Sequence, residues 1–509
     1  MTDAGACDVV IVGAGSSGSV LVARLTEDPD RRVLVLEAGP TDDIPDEAYD
    51  GTTVAASAPG SPIGWTYRTS LLAPDDEAGT RMPPREYDLV RGRLLGGSGA
   101  INGGYLIRPR RADLERWALV GGDRWSPERV APLLSGIERD LDCGGEPGHG
   151  DAGPIPVRRA GNDPLSRAFA AAARAAGFPD EPDKNADAPE GVGPVPQNVV
   201  DGVRRGPGLQ YLAPALGRPN LAVRGRTAAT GVLIDDGRVT GVEVRTDGGT
   251  EVIRCGEVVL AAGAIETPKL LMLSGIGPAD DLARLGIRGV ADLPVGRALS
   301  DHPSITLTFA PHPNGPRPAP DGSPFPTALH LRTPGGEPIE LLLGTRTLRE
   351  ILPALDAPDA FPLMVNLPAT GTGRVALGSA DPLDPPRVSY GYLATSTDRE
   401  IARVAVRTAV SLLRSPEFAA VAALDDGPET AVLDDDRALD AWIARRIGTT
   451  VHSCGTAPLG PVADGEGRVH GVDGLRIADT SLLPRAPERG PALSAVLVGE
   501  VIAGAMRER

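Results

Sequence analysis

The chain runs to 509 residues, length for about three average domains or for one interrupted two-domain fold. A net charge of −17 argues against nucleic acid and against a basic patch on an anionic membrane. Four separated cysteines (Cys7, Cys143, Cys255, Cys454) form no C-x-x-C pair, which predicts a reducing compartment with no disulfide framework and no metal site.

Hydrophobic residues make up 41% of the chain and support a large core, while 64 glycines and 50 prolines imply many loops. Nothing resembles a signal peptide. The longest late apolar run, Ala492 to Met506, contains Glu500 and is too short to span a bilayer. The expectation is a cytoplasmic protein without a transmembrane segment, with a peripheral place at a membrane left open.

Cys7 to Pro40 reads as strand, helix, strand. Asp8 to Val12 is the β-branched run of a strand buried on both faces. It enters Gly13-Ala14-Gly15-Ser16-Ser17-Gly18, a G-x-G-x-x-G pattern, then a helix to about Glu27 and a second strand, Arg32 to Leu36. Gly13 permits the tight turn, Gly15 admits a pyrophosphate close to backbone, and Gly18 lets helix and strand approach. Ser16 and Ser17 open the helix, whose dipole favours a diphosphate. Glu37, followed by Ala38, lies 24 residues after Gly13, where a carboxylate accepts from both ribose hydroxyls and repels a 2′-phosphate. The stretch is read as a dinucleotide site.

Thr41 to Arg85, rich in Pro, Asp and Ser, reads as surface loop. Leu89 to Gly104 is rich in small residues and lets a planar ligand lie against backbone. Trp125 to Asp140 and Leu165 to Gly177 read as helices, with His149 solvated in the glycine-rich loop between them. Thr230 to Val244 is a hairpin about Asp235-Asp236-Gly237, and Thr250 to Val259 continues the antiparallel pattern. Glu257 to Gly263 returns as a buried strand leading into a helix from about Thr267. From His302 to Arg445, Pro-rich stretches (Pro311 to Pro326, Pro382 to Pro386) separate short strands, Phe361 to Leu367 and Arg374 to Leu377. Helices follow over Asp398 to Leu413 and Arg437 to Ile447. His302, His312 and His330 have no ligand-like spacing and no accompanying carboxylate cluster, so they read as satisfied or solvated.

The N-terminal unit, the segment Gly92-Arg93-Leu94-Leu95-Gly96-Gly97-Ser98-Gly99-Ala100-Ile101-Asn102, and Gly263 to Pro278 together resemble the glucose-methanol-choline (GMC) oxidoreductase family. Val451-His452-Ser453-Cys454-Gly455-Thr456 and Ile477 to Pro484 extend the resemblance to the C-terminal part. It implies an α/β fold with a Rossmann-like FAD-binding domain on a parallel sheet, formed by 1–157, 198–301 and 446–509. Residues 158–197 and 302–445 would form a substrate domain, an antiparallel sheet covered by helices on one face.

The implied cofactor is FAD, dissociable because Ile101 stands where some relatives carry the histidine that links it. The implied contacts are Arg91, Gly92, Leu95, Gly96, Gly97, Ser98, Asn102, Gly103 and Gly104. Ala229 would lie on the adenine side, and Ala262 and Gly263 would close on the cofactor. Asp479 would sit near the ribityl and pyrophosphate groups. Pro491 and Ala492 would open a closing helix whose dipole faces the flavin.

His452 matches the family's active-site histidine, with Asn102 near the reactive flavin edge. An imidazole with an ordinary pKa near 6.5 can accept the hydroxyl proton while hydride leaves for flavin N5. One departure stands out: the family usually supplies a second His or Asn where this chain has Gly490. Within the family, Gly153 to Arg158, Val199 to Arg204 and Arg489-Gly490-Pro491 look most like the mycofactocin-associated branch. That likeness implies a dehydrogenase that reoxidises mycofactocinol and passes electrons towards a respiratory-chain acceptor. The alternatives are a small-alcohol oxidase or choline-dehydrogenase-like enzyme, a non-redox lyase, and a non-catalytic electron relay.

Overall fold

The computed structural model describes residues 7–75, 83–313 and 323–508. Parts of the Thr41–Arg85 and Pro311–Pro326 stretches, 76–82 and 314–322, lie outside the described residues.

Five parallel strands form the sheet that carries the nucleotide motif, in the order Leu221–Arg224, Val33–Leu36, Val9–Val12, Val258–Leu260, Leu475–Ile477. Val9–Val12, Val33–Leu36 and Val258–Leu260 are buried at every residue, so they are apolar without alternation. Val9–Val12 sits centrally, with Val12 level with Leu36 on one side and Leu260 on the other. The chain leaves that edge into the helices Ser16–Leu25 and Gly263–Leu273. Strand order diverges here, which opens a crevice at the carboxyl ends. The second helix begins at Gly263 rather than Thr267, because the Asp479 carboxylate accepts from both Gly263 N–H (2.9 Å) and the Thr267 hydroxyl (2.6 Å).

The hairpin Ala228–Asp235/Arg238–Thr246 turns through Asp236 and Gly237, both at positive φ, and is joined by Gly249–Arg254. Val258–Leu260 lies instead in the parallel sheet.

A second, antiparallel sheet runs Ala422–Asp426, Pro303–Pro311, Phe361–Asn366, Pro338–Leu343, Thr327–Arg332, Val192–Pro194. Gly448–Thr449 adds to it by pairing with Pro303 and Ser304. The helices Ser396–Leu413, Pro164–Ala175 and Asp436–Arg446 pack on this sheet.

The stretch read as loop between Thr41 and Arg85 contains a nine-residue strand, Gly64–Leu72, paired with Glu86–Gly92. Tyr67, Thr69 and Leu71 point inwards while Thr66, Arg68 and Ser70 face out, the two-residue period of a half-buried strand. Its Pro- and Asp-rich flanks masked that alternation. No helix among the described residues is long and apolar enough to cross a membrane.

Candidate active site

The crevice at the carboxyl ends of the parallel strands holds about 1250 Å³ of empty space, counting its open mouth. Gly13, Gly15, Ser16 and Ser17 form one wall. Gly13 has φ +103°, and a Cβ there would lie 2.5 Å from the Ala261 carbonyl. No side chain caps the helix at Gly15, so its first N–H groups and dipole are left to a ligand. Gly18 stands behind this wall, where a Cβ would come within 2.0 Å of the Gly13 carbonyl.

Glu37 and Ala38 continue the lining from the second strand. The two Glu37 oxygens accept from Ala14 N–H and Gly39 N–H, each at 2.9 Å. Burial pushes its carboxyl up to about 7 against the pull of those amides. Each oxygen keeps a second lone pair for a ligand.

Arg91, Gly92, Gly97 and Ser98 bring the second glycine-rich segment to the same space. A Cβ on Gly97 would come within 2.8 Å of Gly15 Cα, so the two loops touch backbone to backbone. Ala229, Ala262, Gly263 and Asp479 complete the wall. Burial raises the Asp479 carboxyl, which is held by Gly263, Thr267 and Ser481.

The remaining expected contacts lie outside this wall. Leu95 N–H bonds the Pro40 carbonyl and Gly96 N–H bonds that of Ala14. Asn102 accepts from Gly104 N–H in a tight turn, and Gly103 approaches Phe325. Pro491 caps the last helix, Ala492–Arg507, where Ala495 rather than Ala492 reaches the cavity. Sequence reasoning also missed Trp65, Tyr67, Glu266 and Lys269 in the lining. It missed buried Arg204 too, whose guanidinium donates to the Ala48, Asp50, Thr53 and Ala100 carbonyls and ties two loops beside Asn102. Nothing in a lone arginine announces such a role.

Backbone glycines that a Cβ would block, a free helix terminus and a buried acid at the second strand's tip are the fittings of an adenine dinucleotide. The residues present fit FAD.

His452 lies beside this cleft. The preceding Val451 carbonyl accepts from Arg91 Nη1 at 2.6 Å, and the cleft residue Thr480 donates to the Ser453 carbonyl at 3.0 Å. Its Nδ1 is 2.9 Å from Thr450 Oγ1 and 3.2 Å from His302 Nδ1, the two rings meeting edge to face. Its Nε2 has no hydrogen-bond partner among the described residues. A Cβ on Gly490 would lie 3.4 Å from both Nε2 and Cε1, so this glycine faces the free nitrogen.

Asp301 clamps the pair by accepting from His452 N–H (2.8 Å), His302 N–H (2.7 Å) and the Ser453 hydroxyl (3.0 Å). Burial, followed by the neighbouring His302, brings His452 down to about 3, and burial brings His302 down to about 4. Both rings are therefore neutral at ordinary pH.

Three histidine readings change. His302 is buried against the His452 ring in the candidate site, and its Nε2 has no hydrogen-bond partner among the described residues. His330 is buried between Glu181 (2.8 Å) and Glu340 (3.1 Å), with Lys184 and Tyr105 in the same network, so a carboxylate cluster does accompany it. His149 is half-buried with its ring enclosed rather than solvated, bonded to Glu138 (3.0 Å) and Asp183 (2.8 Å). Glu138, Asp140 and His149 are close enough to hold an ion. Arg108 already pairs with Glu138, and Arg159 bridges Asp140 and Asp183, so the cluster is an internal ion network.

Residues 7–304 and 369–499 match the two family models of GMC oxidoreductase. The chain belongs to the GMC oxidoreductase family. It is 37% identical to a GMC-type oxidoreductase of Rhodococcus erythropolis, over 98% of both chains. It is 33% identical to 5-(hydroxymethyl)furfural oxidase of Methylovorus sp. (strain MP688), also over 98% of both. The solved pyridoxine 4-oxidase from Mesorbium loti superposes with a TM-score of 0.89 at 30% identity, over 99% of each chain. GMC oxidoreductases are FAD-dependent, and this chain is an oxidoreductase acting on CH–OH groups.

Proposed function

We propose that this GMC oxidoreductase binds FAD non-covalently in the crevice and oxidises a CH–OH group, with His452 Nε2 as the proton acceptor. The supporting observation is a neutral imidazole, held on its Nδ1 side, whose free nitrogen faces Gly490, a residue with no side chain. Bound FAD supplies the hydride acceptor. The protein's own part is to hold the carbinol near Nε2, take the hydroxyl proton there, and keep the ring fixed through the Asp301 clamp. Dissociable FAD rests on Ile101, which cannot form the histidyl link. In this reading 1–157, 198–301 and 446–509 serve the cofactor, while 158–197 and 302–445 serve the substrate.

The finer reading takes its support from Gly490 and the three segments that resemble the mycofactocin-associated branch. A glycine opposite the base gives no donor to a developing alkoxide, so the substrate brings its own. That suits a dehydrogenase reoxidising mycofactocinol for an acceptor other than oxygen.

Anaerobic mixing of the FAD-loaded enzyme with reduced mycofactocin and with small alcohols, followed by flavin absorbance, tests both levels. Bleaching by reduced mycofactocin, slowed about 10²- to 10⁴-fold in His452→Ala, is expected. Bleaching only by small alcohols removes the finer reading. No bleaching at all points to lyase chemistry, and an unchanged rate in His452→Ala leaves a relay.

A further inference from the structure

We propose that Glu181 is a positioning residue of this site: it holds Arg489, and through Arg489 it fixes how far Gly490 stands from His452 Nε2. The proposal rests on the reading of His452 as the base, and it concerns the wall opposite that base rather than the ring itself.

Gly490 belongs to a stretch, 483–491, that forms no helix or strand, so its position depends on side-chain bonds. Ala486 N–H donates to Ser300 Oγ at 3.2 Å, and Glu488 N–H donates to the Asp113 carboxylate at 3.1 Å. Arg489 is the last hold before Gly490. Its buried guanidinium donates to Glu181 Oε1 at 3.2 Å and to the Lys184 carbonyl.

These bonds converge on Glu181, which is fully buried. Arg110 shares Oε1 at 3.2 Å, while Lys184 Nζ (2.7 Å) and His330 Nδ1 (2.8 Å) meet Oε2. Burial alone would raise the carboxyl, but His330 and Lys184 bring it down to about 2, so it stays ionised at working pH. From His330 the contacts continue through Glu340 (3.1 Å) and Asn366 (2.8 Å) to the Ser304 hydroxyl (2.7 Å), two residues after His302. One polar chain therefore runs from the strand beside His302 to the loop that carries Gly490.

A buried ionic cluster is often no more stabilising than well-packed apolar groups, because desolvation offsets the Coulomb gain. It is better suited to fixing one geometry, since a shift leaves a buried charge unpaired. Here the position it fixes is that of Arg489, and with it Gly490.

The test uses full-length, FAD-loaded protein and reads, from peptide masses, the rate at which diethyl pyrocarbonate acylates the His452 ring. Glu181→Gln and Arg489→Met should each speed acylation of His452 at least about tenfold, because the loop opposite Nε2 opens more often. Arg489→Lys, which keeps a cation for Glu181, should stay near the wild-type rate. Arg159→Met breaks the separate ion network at Asp140 and Asp183, and it should leave the His452 rate unchanged whatever its effect on stability. Where an alcohol bleaches the flavin, Glu181→Gln should raise KM at least about tenfold and change the limiting reduction rate by less than about threefold.

A His452 rate in both Glu181→Gln and Arg489→Met that is lower than in wild type, or within about twofold of it, overturns the proposal. So does an equal acceleration in Arg159→Met, which would mark general loosening. Glu181→Gln decides alone should Arg489→Met fail to fold. Absence of bleaching by every alcohol would count against the catalytic reading alone, since acylation is read without substrate.

Discussion

Glu37, in its proposed place at the ribose of FAD, should make cofactor binding pH-dependent. Its burial raises the carboxyl from 4.5 to about 7 in the ligand-free protein. The folded state thus binds a proton more tightly than the unfolded chain. That contribution to stability is complete below about pH 4.5 and is lost as pH rises through 7. At about 1.36 kcal/mol per pH unit it amounts to roughly 3 kcal/mol. FAD bound as proposed would work in the opposite direction, because its ribose hydroxyls would donate to the ionised form. Affinity should rise about tenfold per pH unit below 7, roughly a hundredfold from pH 5, and then level off. Glu37→Gln removes both effects and sets an amide N–H against Ala14 N–H or Gly39 N–H, at a cost of about 1–3 kcal/mol. Fluorescence titration of the apoprotein with FAD at pH 5 to 8, beside thermal melts of wild type and Glu37→Gln, measures both. Asp479→Asn isolates the second raised acid in the cleft. A dissociation constant flat across this range, or a Glu37→Gln variant that keeps the slope, refutes the reasoning.

The reductive rate should stay level from about pH 5 to 8 and fall only as pH approaches 4, because protonation of His302 and His452 begins there. An acid limb centred near 6.5 in stopped-flow traces would contradict this. Gly18→Ala forces a Cβ to within 2.0 Å of a backbone carbonyl, so it should cost at least about 1–3 kcal/mol in thermal melts and weaken FAD retention. Gly504→Ala, with nothing within 4 Å of the new methyl, is the matched control and should melt no lower than wild type. Gly490→Asn should fold normally, since Gly490 is not among the left-handed glycines and its Cβ meets His452 at 3.4 Å. It should speed flavin reduction by small alcohols and slow it with a bulky reduced cofactor, and the reverse order of rates would refute the role given to the glycine.

The three central strands of the parallel sheet and the glycine turn were legible because each strand is a short continuous apolar run, and Val9–Val12 and Val258–Leu260 pass at once into a helix, a pattern that needs no distant partner; the outer strands Leu221–Arg224 and Leu475–Ile477 carry no such signal and were not read. The antiparallel hairpin at Asp236-Gly237 was legible for the same local reason. Gly64–Leu72 was not, although its alternation is regular, because the flanking prolines and acids outweighed it. The active site divides along the same line. His452, Arg91 and Gly97 sit in segments with their own signatures. His302 has none, and it reaches His452 from 150 residues away only because Pro303 pairs with Thr449. His330, Glu340, Asn366 and Ser304 likewise form one row across four strands, a row set by register alone.

That row bears on what the site can accept. Glu340 is the carboxylate that acts on both imidazoles, holding each somewhat more basic than burial alone would leave it. Its two oxygens are already taken by Asn366 (2.8 Å) on one side and by Tyr105 (2.9 Å) and His330 on the other. It tunes the histidines through space and has little capacity left to bind a substrate. At the opposite face Gly490 contributes no polar side chain, and the adjoining Arg489 is turned away to Glu181 and the Lys184 carbonyl. The proposed base is thus well positioned, and the charged side chains around it already have partners of their own: Asp301 holds two backbone amides and Ser453, and Arg485 reaches the Ala369 carbonyl. In the proposed reading specificity then comes from groups carried by the substrate and from what stands opposite His452 Nε2 at residue 490, which is why exchange of that single residue is the most direct test of which alcohol the enzyme prefers.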